Sequence, residues 1–224
     1  MNVLLFGATG MVGQGVLREC LQAGDVTRVV VVGRTPTGIR HPKLVEQVRP
    51  DLMDLTDIAA ELQPFDACFF CLGVSSFRMD EAKYTRLTFD LTLSIAKTLA
   101  PLNPQMTFVY VSGASTDSTE QGRSMWARVK GRTENALKRL PFKAVYLFRP
   151  GVIQPLHGAH SKTAVYNFVY VLLNPVLTLI RWLRPGAMLT TEDVGLAMLA
   201  VARKGAPQAA LEVADIRALA RQPA

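Results

Sequence analysis

Three glycines follow the first apolar run of the chain at a spacing that suits an anion-binding turn. Gly7, Gly10 and Gly13 lie in "VLLFGATGMVGQGVL", where a strand-like run leads into a helix-like pattern. Glycines at such a turn let the backbone bend sharply and approach a pyrophosphate, while the helix N-terminus offers free N–H groups. Since the motif requires a strand-to-helix connection, we predict dinucleotide binding here. A purely structural tight turn is the alternative.

The second apolar run ends in "VVVVGRT", at the position that distinguishes the two nicotinamide dinucleotides. A carboxylate there would hydrogen-bond the adenosine 2′-hydroxyl of NAD. Arg34 occupies the position instead, and no Asp or Glu follows before Glu46. Because a guanidinium suits a 2′-phosphate, the sequence favours NADP over NAD. The alternative is that Arg34 is only a solvated loop residue.

A third group lies in "MWARVKG", where Lys130 follows Trp126 by four residues, so that one helical turn aligns them. A lysine there suits a ribose hydroxyl. An indole N–H donates a hydrogen bond but cannot ionise usefully near neutral pH. The sequence therefore leaves open whether the chain performs chemistry or only binds the molecule that usually does it.

The elements that must position these residues alternate between strand and helix. Runs rich in Val, Phe and Tyr, nearly continuous in apolar residues, predict strands covered on both faces. The alternation indicates an α/β fold with a Rossmann-like, doubly wound parallel sheet. Predicted strands are 3–7, 28–33, 43–48, 66–73, 106–113 and 143–151, and predicted helices are 11–23, 54–62, 79–100 and 123–139.

We predict one nucleotide-binding domain over residues 1–224, with 152–190 as a small C-terminal substrate or cap segment. "TTEDV" predicts a helix start in which Thr or Asp oxygens cap free N–H groups, and "ALEVADIRALA" predicts a last strand and a short helix. The segment 163–180 carries no charge. It predicts a helix that covers the substrate cleft or lies in a homodimer interface, with membrane-surface attachment or a true span as alternatives.

Composition restricts the partners. The formal charge is +7, but Lys and Arg are scattered and not interleaved with aromatics, so we expect an anionic small ligand and no nucleic acid. Cys68 and Cys71 lie inside the apolar run "DACFFCLG", which predicts buried thiols and no metal site. With no secretory leader visible, the chain is expected to be cytoplasmic.

Six motifs occur in the order typical of the short-chain dehydrogenase/reductase superfamily: "FGATGMVG", "CLG", "VYVSGAS", "WARVKG", "FRPGVI" and "TTEDV". The chain most resembles the atypical, epimerase-like members, and among these the Tat-interacting-protein oxidoreductase-like branch. The resemblance spans nearly all 224 residues. It implies an NAD(P)-binding oxidoreductase.

The resemblance also implies residue roles. Ser112 and Lys130 match the catalytic region, with Ser115 as a rival to the serine, and Lys130 would hold the nicotinamide ribose. The cofactor-binding residues would surround the pyrophosphate, the adenosine, the ribose and the carboxamide in turn: Gly7, Thr9, Gly10, Met11, Val12 and Gly13; Arg34, Asp51 and Leu52; Leu72, Gly73, Ser112 and Lys130; Pro150, Gly151 and Val152.

One departure from the family pattern affects the chemistry. In this superfamily a tyrosine four residues before the lysine acts as acid or base, and Trp126 occupies that place here. Tyr84, His157, His160 and Ser112 are candidate substitutes, each with an ordinary structural role as the alternative. Two function classes stay open: an NADP-dependent oxidoreductase with unusual proton chemistry, and a non-catalytic binding protein that signals cofactor occupancy. The substrate is not specified, although few polar groups in 74–82 and 152–190 favour an apolar one.

Overall fold

A computed structural model of the protein describes residues 1–159 and 188–222. The strands of these residues are β1 Asn2–Phe6, β2 Arg28–Gly33, β3 Leu44–Val48, β4 Ala67–Phe70, β5 Thr107–Val111, β6 Ala144–Phe148, β7 Ile153–Gln154, β8 Leu189–Thr190 and β9 Ala210–Leu211. The α-helices are α1 Met11–Gln22, α2 Glu81–Thr85, α3 Leu91–Leu102, α4 Met125–Leu137, α5 Thr191–Lys204 and α6 Val213–Ala220.

The main sheet has the strand order β3-β2-β1-β4-β5-β6-β9 within the described residues, and every pairing is parallel. The direction in which strands are added reverses between β1 and β4. In open parallel sheets a ligand crevice forms at such a switch point, outside the carboxyl ends of the strands. The predicted α/β, Rossmann-like fold is confirmed.

Alternate residues of each strand supply two separate cores. Val3 and Leu5 of β1 pack on the face covered by α1, α5 and α6, where Val16 of α1 is fully buried. Leu4 and Phe6 pack on the opposite face with residues of α3. Both faces of the sheet are therefore covered, which explains why the strand sequences are almost continuously apolar.

The structure differs from the sequence prediction mainly in the second quarter of the chain. The helix predicted over 54–62 is present as a 3₁₀ helix, Thr56–Leu62. The predicted helix 79–100 is α2 and α3 joined by a π-helical turn, Arg86–Asp90, and it continues past Pro101 to Leu102. Pro101 lacks an N–H and leaves one bond of the last turn unmade, and the helix ends one residue after it.

The C-terminal helices begin where the sequence predicts. Thr190 caps α5 by accepting from the N–H of Asp193 at 3.0 Å, while the Asp193 carboxylate accepts from the N–H of Thr190 at 2.8 Å. The stretch 163–180 lies outside the described residues, so the cap helix, the homodimer interface and the membrane contact stay predictions. Among the helices that the structure describes, none is long and apolar enough to cross a membrane.

Candidate active site

A cleft of about 590 Å³ opens at the carboxyl ends of the strands, beside the reversal between β1 and β4. It joins residues that are far apart in the chain, from the glycine turn after β1 to the middle of α4. The predicted site residues that line it are Gly7, Thr9, Gly10, Met11, Val12, Arg34, Leu52, Leu72, Gly73 and Lys130.

The glycine turn is shaped by two close backbone approaches. Gly7 has φ +82°, and a Cβ there would lie 2.6 Å from the carbonyl carbon of Cys71. A Cβ at Gly13 would lie 2.1 Å from the carbonyl oxygen of Gly7. Larger residues at these two positions would push β1, α1 and the end of β4 apart.

Gly10 has a different role, because it borders the open cleft. The nearest atom to a Cβ at this position would be the Gly7 oxygen, 3.4 Å away. Gly10 precedes α1 and provides no side-chain cap, and the first amides of a helix have no intrahelical partner. The turn thus presents free N–H groups and the positive end of α1 to the cleft, as a pyrophosphate requires.

Arg34 follows β2, lines the same cleft and is exposed. Within the described residues its guanidinium has no hydrogen-bond or ion-pair partner. Glu46 is the first carboxylate after β2, but its Oε1 accepts from the N–H of Thr37 at 2.7 Å. The part of the cleft beside β2 therefore carries an unpaired cation, and the carboxylate of Glu46 already accepts a hydrogen bond from the backbone.

Leucine and glycine residues form the cleft wall after β3 and β4. Leu52 is buried and lines the cleft, whereas Asp51 is exposed and does not line it; its Oδ1 accepts from the N–H of Met53 at 2.9 Å. Leu72 and Gly73 line the cleft directly after β4. The adenine contact assigned to Asp51 stays a prediction.

Lys130 reaches the cleft from α4, and its ammonium donates a hydrogen bond to the backbone oxygen of Ser112, just after β5. The helix can approach this loop because residue 131 is glycine: a Cβ there would lie 1.7 Å from the oxygen of Asp117. Burial lowers the pKa of Lys130 to about 8, against an opposing effect of the Glu134 carboxylate one helical turn away. Lys130 is thus a group that titrates near neutral pH.

Ser112 is buried, and its hydroxyl does not line the cleft. Its Oγ lies 2.6 Å from Oε1 of Glu134 and 3.1 Å from the oxygen of Phe148. Glu134 is fully buried and also accepts from the guanidinium of Arg149, at 3.0 Å from Nε. These bonds raise the pKa of Arg149. The serine is held by a buried ion pair, and its catalytic role stays a prediction.

The candidate substitutes for the missing tyrosine lie elsewhere. Tyr84 is buried in α2 and burial raises its pKa. His157 lines a separate cavity of about 220 Å³ beside α1, and its Nε2 lies 2.7 Å from Oε2 of Glu192. His160 lies outside the described residues. Trp126 does not line the cleft, but its Cζ3 and the Lys130 Nζ lie 4.0 and 3.9 Å from the position of a Cβ on Gly113.

Pro150, Gly151 and Val152 follow β6 and do not line the cleft, so their contact with the carboxamide stays a prediction. Sequence reasoning missed Ala8, Val31, Gly33, Thr35, Cys71 and Val111, which do line it. Most of them directly neighbour a predicted residue, and their position at strand ends is the signal that identifies them. Cys68 and Cys71 are free thiols, and burial raises the pKa of both. The described residues contain no cluster that could hold a metal ion.

Comparison with known proteins shows which proteins the chain is similar to. The Saccharopine dehydrogenase NADP binding domain matches residues 3–82. The chain is 31% identical over 159 residues to "Protein fmp52, mitochondrial" of Emericella nidulans, an alignment covering 68% of this chain and 66% of that protein. It is 27% identical over 154 residues to "Protein HTATIP2" of Rattus norvegicus, covering 68% of this chain and 62% of that protein. The chain is thus similar to proteins of the atypical short-chain dehydrogenase/reductase family.

These are NAD(P)-binding Rossmann proteins of an oxidoreductase-like family. The chain spans slightly less than two thirds of the two curated relatives. The fold agrees with solved structures: UDP-glucuronic acid 4-epimerase from Bacillus cereus, in complex with NAD, has a TM-score of 0.67 at 15% identity, over 95% of this chain and 76% of that one.

Proposed function

We propose that the protein is an NADP(H)-dependent oxidoreductase of the atypical short-chain type, in which Trp126 replaces the usual tyrosine. One observation carries the proposal: a single cleft is lined by the glycine turn, Arg34, Leu72, Gly73 and Lys130, the groups that a pyrophosphate, a 2′-phosphate and a ribose would need. Bound NADPH would supply a hydride from its nicotinamide ring. The chain would hold the dinucleotide through the α1 amides, the Arg34 guanidinium and the Lys130 ammonium.

The preference for NADP rests on Arg34. A guanidinium offers several donors in a planar fork that fits phosphate oxygens. No free carboxylate lines the described part of the cleft to accept from the 2′-hydroxyl of NAD. Both the attraction and the lack of a competing acid therefore favour the phosphorylated cofactor.

The substrate is proposed to be an apolar carbonyl compound. The loop after β4 exposes 70% of Phe77, and the segment after β6 exposes 50% of Val152. The UDP-glucuronic acid 4-epimerase named above acts on a sugar nucleotide, a substrate that needs polar contacts. Both substrate classes therefore belong in the test.

A non-catalytic binding protein is the second candidate, and the observation that favours it is also specific. Trp126 cannot ionise, and the hydroxyl of Ser112 is committed to Glu134 and Phe148. Such a protein would bind NADPH and report its occupancy without consuming it.

Two measurements on the full chain separate the candidates. Calorimetry with NADPH, NADP⁺, NADH and NAD⁺ tests binding and preference, and the loss of NADPH absorbance tests turnover with quinones, aldehydes, ketones and sugar nucleotides. NADPH binding with turnover supports the oxidoreductase. Tight NADPH binding without turnover supports the binding protein, and no binding of any dinucleotide contradicts both.

The location is proposed to be the cytoplasm, as the sequence suggests, although the relative from Emericella nidulans is named mitochondrial. Fractionation of cells that produce the native chain distinguishes the two compartments.

A further inference from the structure

Only a few ionisable side chains face the cleft. Among the described residues that line it, they are Arg34, Cys71 and Lys130. Hydride transfer to a carbonyl needs a group that can donate a proton to the developing alkoxide, within hydrogen-bond reach. The family's usual donor is absent because residue 126 is tryptophan, so these three groups are the ones to compare.

Two of the three are unsuited to the task. An arginine guanidinium cannot act as a proton donor in proteins, and Arg34 lies at the tip of β2, where the adenosine end is assigned. Burial raises the pKa of the Cys71 thiol well above neutrality, and its backbone packs against Gly7 at the pyrophosphate turn. Neither group can exchange a proton near the nicotinamide end.

The groups outside the cleft are also unsuited. Tyr84 is buried within α2, and His157 lies in the cavity on α1, paired with Glu192. The Ser112 hydroxyl is directed to Glu134, away from the cleft. Within the described part of the chain, Lys130 remains.

We infer that Lys130 is the acid–base group of the reaction and replaces the tyrosine that Trp126 displaces. The inference rests on the proposed oxidoreductase function. In reduction, the carbonyl carbon of the substrate accepts the hydride of NADPH, and the π-electron pair moves to the carbonyl oxygen. That oxygen forms an O–H bond with a proton from the Lys130 ammonium. The products are NADP⁺, an alcohol and a neutral Lys130 amine, which then takes a proton from water.

The surroundings of Lys130 fit this role. One of its three N–H groups donates to the Ser112 carbonyl, which leaves two for ribose and substrate oxygens. The charged or titratable groups around it are Glu134 on its own helix, Arg149 from the end of β6, which pairs with Glu134, and Arg34 and Cys71 across the cleft.

Those surroundings also set the pH at which the proton moves. Burial favours the neutral amine and lowers the pKa of Lys130 to about 8, while the Glu134 carboxylate acts in the opposite direction. Lys130 is thus a charged acid below about pH 8 and a neutral base above it. Reduction should slow as the pH rises through this value, and oxidation should accelerate.

The first test needs neither cofactor nor substrate. Lysines of the full chain are labelled by reductive ¹³C-methylation, and the Lys130 signal is identified by its absence in Lys130→Arg. We expect this signal to titrate near pH 8, well below the ordinary lysine pKa of 10.5. A Lys130 signal that titrates at the ordinary lysine pKa of 10.5 overturns the inference.

The second test uses turnover. With NADPH and phenanthrenequinone or nitrobenzaldehyde, Lys130→Arg keeps a cation that cannot deprotonate, so NADPH binding should remain measurable by calorimetry. Its turnover should fall by about 10²–10⁴-fold and lose the dependence on pH near 8. Lys138→Arg is the matched control and should behave as the wild type.

The outcomes distinguish the two levels of the argument. A wild-type chain that binds NADPH but reduces no compound in the panel overturns the proposed oxidoreductase function. A wild-type chain that turns over, with Lys130→Arg retaining the same rate and pH profile, overturns only the proton role of Lys130.

Discussion

Ser112 Oγ lies 2.6 Å from Oε1 of the fully buried Glu134, so the serine hydroxyl is directed into the protein and not into the cleft. Glu134 in turn pairs with Arg149 after β6. These contacts connect the end of β5 with α4 and β6. The backbone oxygen of Ser112 also accepts a hydrogen bond from the Lys130 ammonium. The position of Lys130 therefore depends on a buried ion pair behind it.

Ser112→Ala should destabilise the protein. The substitution removes a hydrogen bond to a buried carboxylate, for which we expect a loss of about 1–3 kcal/mol in the free energy of unfolding. Urea denaturation followed by circular dichroism measures it. Ser124→Ala is the control, because Ser124 precedes α4, is exposed and makes no side-chain cap. Equal stabilities of the two variants would contradict the buried network.

Substitutions at Gly13 and Gly10 should have different effects on the stability of the protein and on its affinity for NADPH. At Gly13 a Cβ would overlap the backbone of Gly7, so Gly13→Ala should lower the free energy of unfolding by about 1–3 kcal/mol or more. At Gly10 a Cβ would enter only the cleft, so Gly10→Ala should retain stability within about 1 kcal/mol.

The binding of NADPH should respond in the complementary way. Gly10→Ala should lower the affinity for NADPH by roughly tenfold or more, which is about 1.4 kcal/mol, because the added methyl group blocks the approach of the pyrophosphate. Thermal melts and calorimetry on the same preparations measure both effects. Unchanged affinity in Gly10→Ala would remove the pyrophosphate from this turn.

Arg34→Ala should change cofactor preference without changing the fold. A charge-assisted hydrogen bond to phosphate contributes about 1.5–3 kcal/mol, so NADPH affinity should fall roughly ten- to hundredfold while NADH affinity changes little. Arg40→Ala removes another exposed arginine of the same loop that does not line the cleft, and should leave both affinities as they are. An equal loss for NADPH and NADH in Arg34→Ala would argue against a 2′-phosphate contact.

Lys130→Met should stabilise the protein at neutral pH. The pKa of Lys130 is about 8 in the folded protein against an ordinary value of 10.5. Between these values the unfolded chain binds more protons than the folded one, so the contribution of Lys130 to stability rises with pH from about 8 to 10.5. Below about pH 8 the full penalty of a buried ammonium remains.

Methionine removes this penalty. It also removes the hydrogen bond to the backbone oxygen of Ser112, and this loss offsets part of the gain in stability. We therefore expect a net gain of about 1–3 kcal/mol at pH 7, which disappears by about pH 10.5. Urea unfolding at several pH values measures the difference from the wild type. Lys138→Met, at an exposed position, should show no such trend. The stability of Lys130→Met minus that of the wild type should be larger at pH 7 than at pH 10. A smaller difference at pH 7 would contradict the lowered pKa of Lys130.

Much of this architecture could be predicted from sequence because the relevant signals are local. Apolar strands followed by helices specified the parallel sheet, and Gly7, Gly10 and Gly13 marked the first turn. Parallel strands place their carboxyl ends at one edge, so residues after β1, β2 and β4 had to meet there. Arg34 and Leu72 entered the cleft for that reason.

Other features depend on side-chain directions that the sequence does not encode locally. Ser112 stands at a strand end like the cleft residues, but the buried Glu134 and Arg149 hold its hydroxyl inside. His157 lies after β7 in the predicted substrate segment, yet its side chain pairs with Glu192 at the start of α5. The 3₁₀ and π turns at Thr56–Leu62 and Arg86–Asp90 likewise arise from packing that propensity does not specify.

Calorimetric titration of the full chain with NADPH and with NADH tests the central claim most directly. The cleft geometry predicts a saturable one-to-one heat with NADPH and binding at least about tenfold weaker with NADH, the factor given by about 1.4 kcal/mol at Arg34. No heat with either nucleotide, in a preparation shown to be folded by circular dichroism, would contradict it.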